Sequence, residues 1–275
     1  MKFYDVIIIG AGAAGLICAM ESGKRGRKTL LLESSKNVGE KIRISGGGRC
    51  NFTNLNITPD NFLSQNPYFA ISALNRFTQH DFIDLVKKHN IPFHEKTLGQ
   101  LFCDGSSKEI INMLLQECED HKVQVICNNK VETLQKNAET FSLKTNLGDF
   151  TSENIVIATG GLSIPKMGAT DFGHKIAQQF GLNLIPPYPA LVPFTLSPEI
   201  LQESKKLAGV SVLASVKIGK RVFNEGLLFT HKGLSGPAIL QISSYWQTGQ
   251  EITINLAPEI DIFSWLKNKR DNKAK

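Results

Sequence analysis

The sequence predicts an α/β chain in which a unit built on a β-α-β start, residues 1–190, is followed by a β-rich region, residues 191–275. Three observations predict it. The apolar run "YDVIIIG" leads through Gly10-Ala11-Gly12-Ala13-Ala14-Gly15 into a helical stretch. A second apolar run, "KTLLLE", ends in Glu33, 18 residues after Gly15. Four prolines within residues 186–193 then separate this part from a series of strand-like segments. Strand, glycine turn, helix, strand and terminal acid, in that order, make a Rossmann-like β-α-β unit.

Each element has its own reason. "YDVIIIG" is a short β-rich apolar run, as a strand of a buried parallel sheet requires. "AAGLICAMESGKRG" has helical composition. "FTQHDFIDLVKKHN" spaces Phe82, Leu85 and Val86 as a helix does. "SSKEIINMLLQECEDH" is a helix with Ser106 or Ser107 as N-cap and Ile110, Met113 and Leu114 apolar. "VQVIC" reads as a strand, and "FSLKTNLGDFTSENIVIATGG" as a hairpin turning at "NLGD". "IPPYPALVPF" suits a connection between domains. Beyond it, "SVLASVKIGKRVF", "EGLLFT" and "QEITINLAP" are strand-like, and "DIFSWLKNKR" begins a helix.

Bulk properties narrow the class. A chain of 275 residues, 41% of them apolar, can bury one large core or two smaller ones. The net charge is +6, but the tail "KNKRDNKAK" (267–275) supplies +4 of it. A solvated charged end is the plainer reading, and charge by itself identifies no polyanionic partner. The five cysteines (Cys18, Cys50, Cys103, Cys118, Cys127) are odd in number and show no C-x-x-C or zinc spacing. A reduced cytoplasmic protein without structural disulfides or a metal site fits that usage. Asp5 interrupts the apolar N-terminus and no run reaches membrane-spanning length, so a soluble protein without a membrane partner is expected.

The G-x-G-x-x-G pattern acquires specificity from its context. Gly10 allows the tight turn, Gly12 lets the backbone approach a pyrophosphate, and Gly15 permits close helix–strand packing. Ala13 and Ala14 open the helix whose N-terminus favours an anion. Glu33 would accept hydrogen bonds from ribose hydroxyls. "IVIATGG" (155–161) decides between dinucleotides: this strand ending in Ala158-Thr159-Gly160-Gly161 resembles two-dinucleotide-binding-domain flavoproteins, where it runs beside the FAD. FAD is therefore the expected cofactor.

Three further stretches, "GEKIRISGGGRCNFTN", "ATGGLSIPKMGATDFGHKIAQQFG" (158–181) and "LLFTHKGLSGPAILQIS" (227–243), carry a more specific resemblance. Together they resemble the BaiN-like family of NAD(P)/FAD-dependent oxidoreductases, which includes the YhiN-type and aminoacetone-oxidase-type proteins. The resemblance covers essentially the whole chain. It implies a Rossmann-like FAD domain interrupted by an insert with a β-barrel and a helical bundle, followed by a C-terminal return to the flavin. No such returning segment follows here, so a C-terminally truncated chain with a barrel-like β-rich insert is expected. Carried over residue by residue, the resemblance places Lys41, Ser45, Gly46, Gly47, Gly48, Arg49, Cys50, Asn51, Thr53 and Asn54 around the flavin end of FAD. Glycine backbone can lie against a flat ring, and Arg49 offers a fixed fork of donors. Val131 resembles the position whose backbone meets the adenine, though a plain strand valine reads the same way.

The chemistry implied is hydride transfer at a flavin, with NADH or NADPH as transient hydride donor. Activities attributed to the family are reduction of a uridine in large-subunit ribosomal RNA to dihydrouridine, reduction of steroid-type enones, and oxidation of aminoacetone. Ribosomal RNA and a small-molecule substrate are thus both candidate partners. Three alternatives follow: an NAD(P)H-driven C=C reductase, a small-molecule amine oxidase, or an inactive flavoprotein fragment. An alkene reduction needs a proton donor. Cys50 beside the glycine loop reads either as that donor or as a small packing residue. His231 in "FTHKGLSGP" reads either as a donor or as a structural turn residue. His80, His89, His94, His121 and His174 read as surface or helix-end residues. No feature specifies an oligomeric state.

Overall fold

The N-terminal apolar run forms β1 (Lys2–Ile9), α1 (Ala13–Lys24) follows it, and "KTLLLE" forms β2 (Thr29–Leu32). The computed structural model describes residues 2–273. Two compact units divide between Leu184 and Ile185. In the first, β2 is followed by α2 (Glu40–Ile44), β3 (Asn51–Asn54), α3 (Ile71–Arg76) and α4 (Gln79–Lys88). Then come β4 (Phe93–Glu95), β5 (Gln100–Cys103), α5 (Ser107–Asp120) and β6 (Gln124–Ile126). The unit ends with β7 (Val131–Asn137), β8 (Thr140–Thr145), β9 (Gly148–Ile157) and α6 (Phe172–Gln179).

The main sheet has the order β6-β2-β1-β9-β8-β7. β6, β2, β1 and β9 run parallel, while β9-β8-β7 is an antiparallel meander with one turn at the expected "NLGD". Both faces are covered, which explains the unbroken apolar runs. Ile8 and Leu31 enter one core with Leu16 and Met20 of α1 and Ile110 and Leu114 of α5. Ile7, Ile9, Leu30 and Leu32 point the other way, onto Leu134, Leu143, Phe150 and Ile176. Each fully buried aliphatic side chain of this set contributes about 1.5–3 kcal/mol. The pairing of β9 with β1 runs in register from Lys2↔Phe150 to Ile9↔Ile157. That register delivers Ala158 beside the first glycine turn.

A smaller antiparallel sheet, β3-β5-β4, carries the end of the "GGGRCNFTN" stretch. Two capping boxes start the helices around it. Thr78 and Asp81 cap α4; Ser106 and Glu109 cap α5, so Ser106 rather than Ser107 is the N-cap. Ser107 instead donates to Arg43 O at 2.7 Å.

Helical periodicity places Glu117 on the buried face of α5, where its side chain is wholly inaccessible. Lys88 Nζ lies 2.6 Å away, His89 Nε2 2.7 Å and Lys24 Nζ 3.7 Å. Burial alone would raise this carboxyl's pKa. The hydrogen bonds from Lys88 and His89, with the charges of Lys88 and Lys24, outweigh burial and hold it down at about 2. His89 is thus a helix-end residue with a partner far away in sequence. Removing the carboxylate takes from Lys88, Lys24 and the half-buried His89 their shared partner, although both lysines reach solvent, so Glu117→Gln is expected to cost about 2 kcal/mol at pH 7. Because the folded pKa lies below the ordinary 4.5, this contribution is fully present above that value and is lost as pH falls toward 2. Urea melts of both proteins at pH 7 and pH 3 should show the difference between them shrinking at the lower pH.

The second unit contains β10 (Phe194–Thr195), α7 (Pro198–Ser204), β11 (Ser211–Ile218), β12 (Arg221–Thr230) and β13 (Gly233–Ser235). It continues with α8 (Pro237–Ser243), β14 (Thr253–Asn255) and α9 (Ile262–Lys273). Its sheet is antiparallel, order β10-β13-β12-β11-β14, and open at both ends, a partial barrel. Ala214, Val216, Leu227 and Leu234 pack against Ala238, Ile239 and Ile242 of α8. One expectation needs correction. "SVLASVKIGKRVF" is two strands, not one: Gly219 at φ 54° reverses the chain, and Ile218 pairs with Arg221. The apolar alternation continues through the turn and hides it. Among the described residues no helix is long and apolar enough to cross a membrane, and no group of three or more His, Cys, Asp or Glu could hold a metal ion.

Candidate functional site: a cleft at the C-terminal ends of β1, β2 and β9

The site begins where β1 stops. Gly10 turns the chain at φ 103°, with its N–H on Leu32 O (2.8 Å), and Ala158 N donates to Ile9 O (2.8 Å). The ends of β1, β2 and β9 are thereby tied together. α1 then starts at Gly12 with no side-chain cap and no acid in its first turn. Its uncapped N-terminus supplies orphan N–H groups and the positive end of the helix dipole. Gly12, Ala13 and Ala14 line a cleft of about 750 Å³, together with Gly10, Glu33, Lys41, Val131, Ala158, Thr159 and Gly160. Such a volume lies within the range of small-molecule and cofactor sites.

Glu33 is fixed at the cleft wall. Ala11 N donates to its Oε2 and Ser35 N to its Oε1, both at 2.8 Å. An ionised carboxylate has about four lone-pair sites, so these bonds orient it and leave acceptor capacity for a ligand. Behind it, Asn129 N donates to Glu33 O (2.8 Å), and Asn129 is 1% exposed. Neither amide atom of Asn129 has a partner, and neither has Thr159 Oγ1, among the described residues. Buried polar atoms are seldom left so. Two such residues in one cleft wall, an uncapped helix start and a positioned carboxylate fit a dinucleotide.

A second cavity of about 260 Å³ shares Ala13, Lys41 and Ile42 with the first and is lined also by Ser45, Cys50, Asn51, Phe52 and Phe82. Lys41 stands between the two, its Nζ 2.9 Å from Ser163 Oγ. Ser45–Gly48 is a single tight turn in which Gly46, Gly47 and Gly48 have φ 58°, 67° and 90°. At Gly46 a Cβ would lie 2.6 Å from Asn51 N; at Gly47 and Gly48 it would meet open space. The first glycine therefore serves internal packing, while the other two leave backbone uncovered.

Cys50 follows in the left-handed region at φ 54° and is 4% exposed. Burial pushes its thiol up, with a smaller opposing effect from the Ser45 side chain. Its neighbour across the sheet, Cys103, is pushed up to about 12, first by burial and then by Cys50. Both thiols carry their protons at neutral pH.

The structure does not bring every expected residue to these cavities. Arg49 is exposed and lines neither. Gly15 lies beneath Gly10 and not in the wall. Asn54 Nδ2 donates to Leu98 O (2.9 Å) and its Oδ1 accepts from Asn56 N (2.7 Å), so its amide holds a local turn. Asn51 can satisfy Thr53 O and Leu101 O with its amide nitrogen, at 3.1 Å each. Thr53 and Gly161 are also outside both linings. His231 is exposed on the β12–β13 turn of the second unit. Conversely, Ser35, Asn129 and Lys130 line the cleft without any sequence signal, and so does the 167–173 segment, which lies in the 158–181 stretch but held no expected site residue. "CNNKV" has the composition of an ordinary turn.

Comparison with known proteins narrows the reading. A family model described as the HI0933-like protein Rossmann domain matches residues 4–250. The chain is 53% identical over 272 residues to a ribosomal RNA dihydrouridine synthase of Escherichia coli (strain K12), covering 98% of this chain and 68% of that protein. A ribosomal RNA dihydrouridine synthase of Haemophilus influenzae (strain ATCC 51907 / DSM 11121 / KW20 / Rd) is 44% identical, with 100% of this chain and 69% of the relative covered. A 3-dehydro-bile acid delta(4,6)-reductase of Clostridium scindens (strain ATCC 35704 / DSM 5676 / VPI 13733 / 19) is 26% identical over 92% of this chain and 64% of that protein.

Proposed function

This chain belongs to the HI0933-like family, and on that premise we propose its reaction. It is an FAD-dependent oxidoreductase that uses NADH or NADPH to reduce an activated C=C bond. The substrate we propose is a uridine of large-subunit ribosomal RNA, converted to dihydrouridine in the cytoplasm. Within the family we group it with the BaiN-like NAD(P)/FAD-dependent oxidoreductases. The observation that carries the substrate is the 53% identity, over 98% of the chain, to a ribosomal RNA dihydrouridine synthase.

When bound, FAD supplies a centre that accepts hydride from NAD(P)H and delivers it to one alkene carbon. The chain's own residues have separate tasks. The start of α1 faces the pyrophosphate, with Gly12 keeping the approach open. Glu33 accepts from the ribose hydroxyls through its unused lone pairs. Val131 backbone meets the adenine, and Asn129 and Thr159 offer their partnerless polar atoms to the same ligand. Lys41, Ser45 and Asn51, which line the second cavity, would bracket the ring end. Cys50, a protonated thiol in the wall of the second cavity, gives its proton to the other alkene carbon and is reprotonated from solvent.

The purified holoprotein is expected to be yellow and to be bleached by NADPH without oxygen. Adding an unmodified ribosomal RNA fragment should restore the colour as uridine is reduced. A Cys50→Ala protein should keep its flavin and its bleaching by NADPH, but recolour with RNA at least about 100-fold more slowly. Unchanged recolouring would leave Cys50 as a packing residue. A second reading, reduction of a small-molecule enone, draws on the bile-acid reductase relative. Recolouring by such an enone but not by RNA would favour it.

A further inference from the structure

We propose that the tip of the β11–β12 hairpin is a docking finger for the phosphate backbone of a helical RNA segment. The inference rests on the RNA reading of the proposed function and adds the place where this chain holds that partner. The sequence around the reversal is Lys217-Ile218-Gly219-Lys220-Arg221. Lys217, Lys220 and Arg221 are all exposed. The ion pairs among the described residues of this unit are Lys206–Glu203 and Arg270–Asp271. The three hairpin cations are therefore not neutralised by any described carboxylate. Glu251 comes two residues before Thr253, which pairs with Lys217, yet it forms no such pair. Glu225, further along β12, is engaged by Gln241 Nε2 at 2.9 Å.

Strand alternation distributes these charges around the tip. Ala214 and Val216 of β11 enter the core beneath α8, so Lys217 points to the opposite face. Leu227 of β12 enters the same core, and Arg221, six residues earlier, shares its face. Lys220 sits at the apex. One cation on each face and one at the end is the distribution expected of a finger entering a groove with phosphates along both walls. The wide, shallow minor groove of A-form RNA, bordered by phosphates and 2′-hydroxyls, admits such a tip.

Arg221 is also held in place. Its guanidinium lies 5.1 Å from the centre of the Tyr245 ring, which in turn packs on Phe223 at 5.8 Å. A stacked, planar guanidinium loses less freedom on meeting a phosphate than a free lysine does. Cations at such a tip meet phosphates, which position the RNA backbone without selecting sequence.

The test compares the holoprotein with a Lys217→Gln/Lys220→Gln/Arg221→Gln variant. Binding of a fluorescently labelled large-subunit ribosomal RNA helix is measured by anisotropy across a salt series. At 0.1 M salt the variant should bind at least about tenfold more weakly, and its plot of log affinity against log salt should be shallower by about 2. Flavin content, bleaching by NADPH and melting temperature should not change. A second variant, Lys267→Gln/Lys269→Gln, removes charge from α9 instead. Equal affinity and equal salt slope in the hairpin variant would overturn the proposal, as would a loss confined to the α9 variant. Failure of the unsubstituted protein to bind the RNA at all would instead remove the RNA reading itself, and the finger with it.

Discussion

Gly15→Ala is expected to destabilise the first unit by about 3 kcal/mol or more, lowering its melting temperature by roughly 6–12 °C. Helix propensity argues the other way, since alanine is about 1 kcal/mol better than glycine inside a helix. Geometry decides. A Cβ at position 15 would stand 1.8 Å from Gly10 O, a backbone atom fixed in the turn after β1. It would also lie 3.4 Å from the Ala158 side chain. Relief requires α1 to move away from the sheet, which opens the core around Leu16, Ala19 and Met20. Calorimetry of the apoprotein measures this directly, because the clash is within the chain and needs no ligand.

Gly12→Val should do the reverse: leave the fold and remove the cofactor. A Cβ at Gly12 meets nothing within 4 Å, and its φ of −79° and ψ of −169° suit any residue. Loss of a good N-cap costs less than about 1 kcal/mol relative to glycine. The open space is the path by which backbone reaches the pyrophosphate, and an isopropyl group would fill it. Flavin affinity should drop at least about 100-fold, some 2.7 kcal/mol. The variant is then colourless with a nearly unchanged apoprotein melting temperature, whereas Gly15→Ala loses both. A yellow G12V protein would mean that the pyrophosphate does not lie over the start of α1.

Why some of this was legible and some not follows from the distance over which each feature is determined. Tyr4 to Glu33 is a local pattern: strand, turn, helix and strand follow from 30 consecutive residues, and the cleft forms at the ends of those strands. The α4 and α5 caps are equally local, four residues each. The orphaned amide of Asn129 is not local, because its meaning depends on β6 lying beside β2. Glu117 illustrates the same limit. Its place on the buried face of α5 follows from helical spacing, but its three partners come from α1, the end of α4 and the residue after it. Asn54 shows the converse error, in which a motif residue expected at the cofactor holds the turn at Leu98 instead. The Gly219 reversal escaped because the strand-like character on either side is continuous.

A chain that reduces a uridine of large-subunit ribosomal RNA through bound FAD, as proposed, leaves its product in the RNA of the cell. Mass spectrometry of large-subunit ribosomal RNA from a strain lacking the gene tests it most directly. In that strain a dihydrouridine should be replaced by uridine, two mass units lighter, and should return when the gene is restored but not when the G12V gene is supplied. Dihydrouridine content unchanged by loss of the gene would contradict it.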